Sequence, residues 1–383
     1  MSQVVLLASA RTPHGSFLGS LSDVSAVELG RVAIDGLLGR ANQVDWVCLG
    51  NSIQAGIGQA PARQVVIASA LSDSTPATAV NEASGSGTRA ITLAADRITA
   101  GNASFAIAGG FESMSNAPWI LPGLRSGKRH GDITLQDSMI LDALWDVSLD
   151  RHMGEITEGL VDRHHLSRSR QDQYALESHQ RAARAIDDGR YTAEIVPVST
   201  GEEVIDRDEG PRPDSSIEDL QSLPPAFRSD GTITAANASN LADGAGMVYL
   251  ADADAAEKAG LEPVMRLRDY TVQYRPPAEF NEAVGDAIDT LLDQNSLTVE
   301  DLDACWVNEA FAAQSVYLMD RLGFTRDQLN PRGGAIAYGH PIGASGGMLT
   351  ASLAHQYEQE GLTRGIVGMS IGGGGAIMTL WER

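Results

Sequence analysis

The stretch VNEASGSGTRAITLAADRITAG, Val80 to Gly101, reads as an extended segment, a tight turn of small residues and then a helix. Ala90, Ile91, Leu93, Ala94 and Ile98 recur at helical spacing after the turn. Ser84, between Ala83 and Gly85, is either a helix cap or a nucleophile held at the positive end of the helix. The same grammar returns later in the chain. GASGGMLTASLAHQYEQEG (343–361) matches the turn and helix, with Gly347 standing 260 residues after Gly87. DACWVNEAFA (303–312) matches VDWVCLGNS (44–52), with Trp306 standing 260 after Trp46. GIVGMSIGG (365–373) matches FAIAGGFES (105–113) at the same offset. One offset serving three segments predicts a duplicated domain.

Working outward, β-rich runs such as QVVLLASA (3–10) alternate with helical runs such as SAVELGRVAIDGLLGRA (25–41), the pattern of an α/β fold. From Met114 to Leu241 the composition changes to polar, charged and proline-rich. That segment holds one long amphipathic helix, from Ser167 to a glycine stop at Gly189, and a charged helix carrying His164 and His165 that is expected to be solvated. It reads as an insertion carried by the first half, and insertions on such scaffolds bind substrate. The expected division is 1–113 with 242–250 as the N-terminal half, 114–241 as an inserted loop domain for substrate, and 251–383 as the C-terminal half.

At 383 residues and 43% hydrophobic content the chain is long and apolar enough for a sizeable packed core. A formal charge of −22 disfavours nucleic acid and anionic membranes as partners. Of the 28 basic residues only Lys128 and Lys258 are lysines. Arginine bias with strong acidity points to a salt-adapted, halophilic cytoplasm, where a short Debye length tolerates self-repulsion. Cys48 and Cys305 stand in apolar runs without metal-ligand spacing, so buried free thiols are expected, with no disulfide and no metal site. The N-terminus has no basic region before its short apolar run, and no 18-residue apolar window exists, so neither a signal peptide nor a membrane span is expected.

The strings NEASGSGTRA, AGGFESMSNAPW, NASNLADGAG, NEAFAA, GGAIAYGHPIGASGG and SIGGGGAIM occur in one order that resembles a thiolase. The resemblance runs from SARTPHGSFLGSL (9–21) to the C-terminus and is of a haloarchaeal type with serine in place of the nucleophilic cysteine. It implies a five-layered αβαβα core of two similar halves with an inserted loop domain. It also implies Claisen condensation of acyl-CoA units, or thiolysis of 3-ketoacyl-CoA, with the acyl group resting on the enzyme between half-reactions. CoA thioesters are substrates, and no cofactor is implied. A homodimer or homotetramer is expected, and a small OB-fold partner subunit fits the archaeal resemblance.

Both cysteines that such enzymes use are replaced, by Ser84 and by Ser370. A hydroxyl ionises far less readily than a thiol of pKa about 8.5, so Ser84 needs a base in direct contact. By resemblance that base is His340 in YGHPIG, and the oxyanion donors are Asn308 and the backbone of Gly372. Ser370 takes the place of the group that handles the substrate α-proton, with His340 or His152 as the replacement base. The resemblance places His152, Met153, Arg212, Phe227, Ser239 and Phe311 along the acyl-CoA channel: Ser239 on the pantetheine arm, the two phenylalanines as walls, Arg212 at the adenine or phosphate end. Phe280 stands in place of a family methionine. Two further readings remain open at this point: a catalytically altered scaffold binding acyl-CoA or the small partner, and a thioesterase on the same fold.

Overall fold

The computed structural model describes residues 3–41 and 43–383. The first half runs β1 (Val4–Arg11), α1 (Ala26–Asp35), β2 (Trp46–Gly50), α2 (Pro61–Ala68), β3 (Ala77–Val80), α3 (Ser86–Thr99) and β4 (Phe105–Ser113). Two long helices follow, α4 (Met153–His164) and α5 (Arg168–Asp187), before the half is completed by β5 (Ala242–Asp252). The second half runs β6 (Met265–Tyr274), α6 (Phe280–Gln294), β7 (Ala304–Val307), α7 (Ala312–Leu322), α8 (Ser345–Glu360), β8 (Arg364–Ile371) and β9 (Gly375–Glu382).

The mixed sheet has the order β7-β8-β9-β6-β1-β5-β4-β2-β3. Read from the centre, β1-β5-β4-β2 on one side repeats as β6-β9-β8-β7 on the other, which is the duplication expected from the common offset. The halves join through β1 and β6, where Val5 pairs with Arg266 and Leu6 with Met265. Strands buried on both faces explain the near-continuous apolar runs: β4 is buried along its whole length.

Three apolar clusters define the layers. Leu29, Val32 and Ala33 of α1 join Val65 and Val66 of α2 over one face of β4 and β5, including Ile107 and Met247. Ile91, Ala94 and Ile98 of α3 join Leu349, Leu353 and Tyr357 of α8 between the two halves of the sheet, against Trp306 and Trp381. Val284 and Ile288 of α6 and Val316 of α7 cover Met378 and Leu380, with Leu160 of α4 and Tyr174 of α5 packed on the same cluster. The result is helix, sheet, helix, sheet, helix. Because α8 lies in the middle layer, it is buried from Ser345 to Tyr357 and shows small or apolar residues on every side.

The two central helices meet at their amino ends by backbone contact. A methyl group added at Gly346 would lie 2.2 Å from the Thr88 amide nitrogen, and one at Gly87 would lie 2.8 Å from the Gly343 carbonyl oxygen. This contact brings the loop that enters α3 beside the loop that enters α8. Helix α5 begins at a Ser167 cap and is followed by Gly189 at φ +68°, as its sequence requires. His165 departs from expectation: it is the left-handed cap of α4, outside the helix. His164 and His165 are both exposed, as expected, with the His164 ring 4.5 Å from the Tyr317 ring. Cys48 and Cys305 are buried and free, on β2 and β7. Among the described residues no helix is long and apolar enough to cross a membrane.

Candidate active site

The turn before α3 is built by its own side chains. Asn81 Oδ1 accepts from the Ala83 amide at 3.0 Å, and Asn81 Nδ2 donates to the Ser52 carbonyl at 3.0 Å. Ala83 is held in the left-handed region at φ 47°, an unfavourable conformation for a residue with a Cβ. Ser86 Oγ accepts from the Glu82 amide at 2.8 Å and donates to the Ala83 carbonyl at 2.6 Å. Ser86 therefore ties the turn that precedes the helix, while the residue at the N-cap position is Gly85 and no side chain caps α3. Ser84 is not the cap. Its Oγ lies 2.9 Å from His340 Nε2.

His340 enters from the second half. Its amide donates to the Asn240 carbonyl at 2.8 Å. Its Nδ1 lies 2.6 Å from Ser345 Oγ, the first residue of α8. A neutral imidazole has one donor and one acceptor nitrogen. With Nε2 accepting the Ser84 hydroxyl, Nδ1–H donates to Ser345, so one tautomer satisfies both contacts. Burial, with a smaller contribution from His14, pushes the His340 pKa down to about 3, so the ring is neutral at neutral pH. The loop between His340 and α8 is tied down by Glu112, whose carboxylate accepts from the Gly343 amide at 2.9 Å, the Ser52 amide at 2.9 Å and the Ile53 amide at 3.1 Å. Burial pushes the Glu112 pKa up to about 7 against the pull of these amides.

Ser84 and His340 open into a cavity of about 270 Å³. It brings together Ser370 and Gly372 from the β8–β9 hairpin with His152, Met153, Phe227, Ser239 and Phe311. Gly372 packs close to the Ser84 turn: a methyl group there would sit 3.7 Å from Ala83 Cβ. The Phe227 and Phe311 rings meet edge to face at 6.3 Å. His152 stacks on Phe227 at 4.7 Å, its Nδ1 accepts from the Gly154 amide at 3.1 Å, and burial lowers its pKa. Phe280 also lines the cavity and is itself buried.

Two expected residues lie outside it. Asn308 is buried at the end of β7, where its amide donates to the Gly368 carbonyl at 3.0 Å and its carbonyl accepts from Gln314 Nε2 at 3.1 Å. Its side-chain Nδ2 has no hydrogen-bond partner among the described residues, which leaves an unused donor in the interior. Arg212 is exposed, with its amide donating to His179 Nδ1 at 3.2 Å. Sequence reasoning missed Ser345, although it stands inside the string GHPIGASG, and Glu112, although it stands inside AGGFESMS.

Family comparison decides what this scaffold is. The family model for "Thiolase, N-terminal domain" matches residues 4–254, and that for "Thiolase, C-terminal domain" matches residues 261–383. The chain belongs to the thiolase family. This thiolase is 43% identical over 390 residues to an acetyl-CoA acetyltransferase of Pseudomonas aeruginosa, covering 99% of each chain. It is 40% identical over 392 residues to an acetyl-CoA acetyltransferase of Escherichia coli, covering 100% of each. Among solved structures it is similar to the Bacillus anthracis acetyl-CoA acetyltransferase, with a TM-score of 0.95 and 34% identity over 100% of this chain and 99% of that one.

Proposed function

We propose that this thiolase is a β-ketothiolase, an acetyl-CoA C-acyltransferase that works through an acyl-Ser84 intermediate. The observation that carries the reading is the 2.9 Å contact between Ser84 Oγ and His340 Nε2 at a cavity with aromatic walls. Ser84 Oγ attacks the thioester carbonyl carbon while His340 takes its proton. A poorly hydrated imidazole resists protonation in the resting site. The negative charge that develops on the carbonyl oxygen offsets that resistance at the moment of attack. The tetrahedral intermediate collapses, the C–S bond breaks, and His340 returns the proton to the departing CoA sulfur. For condensation, His340, neutral again once CoA has left, takes an α-proton from a second acyl-CoA; that carbon bonds to the acyl carbon, the bond from the acyl carbon to Oγ breaks, and His340 returns the proton to the Ser84 hydroxyl. Thiolysis is the reverse.

Within this reading Ser84 and Gly372 supply backbone donors for the oxyanion, and the unpartnered Asn308 amide orients a water toward it. Ser370 contacts the second substrate near its α-carbon. His152 and Met153 contact the acyl-CoA, Ser239 meets the pantetheine arm, and the exposed Arg212 meets the nucleotide end as a planar cation suited to phosphate. Residues 114–241 form a substrate and CoA segment inserted within the first half, 1–113 with 242–250, and 251–383 form the second half. The reaction as written uses CoA thioesters and the chain's own groups. We place the enzyme in a salt-rich cytoplasm, a setting supported by its charge of −22. We further propose a homodimer or homotetramer with a small OB-fold partner; exposed apolar side chains at Trp119, Leu124, Leu135 and Val147 support a covered surface.

The test is direct. Incubation with acetyl-CoA is expected to add one acetyl group by intact mass, mapping to the peptide that contains Ser84, and Ser84→Ala is expected to add none. An acetyl group on another residue, or a wild type that shows neither an adduct nor release of CoA, would sink the reading.

A further inference from the structure

The cavity is better equipped for acyl transfer to oxygen than for acyl transfer to carbon. Among the described residues that line it, His152 and His340 are the only titratable side chains. His152 has no free lone pair for the task, because its Nδ1 accepts from the Gly154 amide at 3.1 Å and the other nitrogen then carries the proton. Its ring is also held flat on Phe227 at 4.7 Å. That leaves one base, His340, aimed at Ser84 and steadied from behind by Ser345. Carbon transfer asks for two proton acceptors at two places: one for the Ser84 hydroxyl and one for the α-carbon of a second substrate. The group facing the cavity from β8 is the Ser370 hydroxyl, which is not a base near neutral pH. Oxygen transfer asks for one acceptor at one place, used twice.

We propose that this site carries a second activity, hydrolysis of acyl-CoA. The inference rests on the acyl-Ser84 reading. In the first step Ser84 Oγ forms a bond to the acyl carbon, the C–S bond breaks, and the serine proton passes through His340 to the CoA sulfur. Once CoA has left, His340 is neutral again with Nε2 facing the ester oxygen. A water in the vacated space gives its proton to Nε2 as its oxygen bonds to the acyl carbon. The bond between the acyl carbon and Oγ then breaks, Oγ takes the proton back from Nε2, and a carboxylic acid leaves. Water is the co-reactant, and no electrons are transferred. The chemical class of substrate is a short acyl thioester, and a small alcohol can replace water in the second step.

The full chain is incubated with acetyl-CoA in water enriched in oxygen-18, and free CoA, acetate and acetoacetyl-CoA are measured together. The expected result is acetate labelled with one heavy oxygen and CoA release in excess of acetoacetyl-CoA. Ser84→Ala lowers acetate formation by roughly 10³-fold or more, as removal of a serine nucleophile does elsewhere. Ser370→Cys introduces a thiol of pKa about 8.5 beside the second substrate, and the ratio of acetate to acetoacetyl-CoA falls by roughly tenfold or more. An acetyl group mapped to Ser84 with no acetate formed overturns this inference and leaves the acyl-Ser84 reading standing. Acetate formed by Ser84→Ala at the wild-type rate overturns it as well. Absence of both the adduct and CoA release overturns the two together. The wild-type product ratio needs no variant to fold.

Discussion

The two halves share a strand order and differ in what they hang on it. In the first half, β4 ends at Ser113 and β5 begins at Ala242, so residues 114–241 leave the core between two paired strands. In the second half, β8 turns into β9 through Gly372–Gly374. The same junction therefore supplies cavity walls on one side, through Phe227 and Ser239, and a tight hairpin tip on the other, beside Ser370. The loops entering the central helices diverge too. The one before α3 presents a hydroxyl, and the one before α8 presents an imidazole. The lesson is that a duplicated scaffold brings its two corresponding loops together by construction, after which each loop is free to carry a different group.

Removing the imidazole breaks that division of labour most severely. His340→Ala is expected to slow acylation of Ser84 by roughly 10³-fold or more with the fold intact, read by rapid-quench mass spectrometry beside a circular dichroism control. Next comes the contact that joins the halves. Gly346→Ala puts a methyl group 2.2 Å from the Thr88 amide nitrogen, a backbone atom that cannot swing aside. We expect a loss of about 3 kcal/mol or more in urea unfolding, because overpacking against backbone forces helices apart. The equivalent change at Gly101, where a side chain meets nothing within 4 Å, is expected to cost far less, by the left-handed strain alone.

A smaller effect sharpens the comparison at α8. Ser345→Ala removes the acceptor for His340 Nδ1–H, and kcat is expected to fall by roughly tenfold to a hundredfold, with KM little changed, as the tautomer and ring angle loosen. Ser345→Asp places a carboxylate there and moves the acid limb of the pH–rate profile upward. An unchanged profile in both variants would show that Ser345 only fills space.

The mildest prediction concerns pH. Burial lowers the pKa of His340 to about 3 and of His179 to about 4, below the ordinary value of 6.5. The unfolded chain thus binds more protons than the folded one between pH 6.5 and about 4. Stability is fully present above pH 6.5 and falls as the pH drops through that window, by about 1 kcal/mol per unit for each of the two rings. Glu112 acts in the opposite sense, since its folded pKa of about 7 exceeds the ordinary 4.5 and favours folding at lower pH. Two rings against one carboxyl leave a net loss, measurable as a falling midpoint in thermal unfolding from pH 7 to pH 5.

Much of this was legible in the residues. The repeat spacing of Trp46 and Trp306, and of Gly87 and Gly347, foretold two matching halves, because a buried strand and a close helix contact each demand a characteristic residue type. The strings around Ser84 and His340 marked the two loops. Ser86 and Ser84 were not distinguishable, since either hydroxyl suits a helix start by composition. Asn308 was expected as an oxyanion donor; it is buried just past the end of β7, outside the residues that line the cavity, with its side-chain Nδ2 unpartnered among the described residues. Ser345 went unnoticed because a serine at the first turn of a helix looks like ordinary capping.

The amino-acid sequence by itself determined the alternation of strand and helix, the duplication and the burial of the central layer, because periodic apolar spacing is a local property that survives any arrangement of the rest. What the tertiary structure alone decided is which serine meets which nitrogen. Ser84 and His340 are separated by 256 residues, and their 2.9 Å approach follows from two glycine-lined helices packing backbone to backbone. Such a distance is set by three-dimensional packing, in which shifts of an ångström make or break a proton transfer.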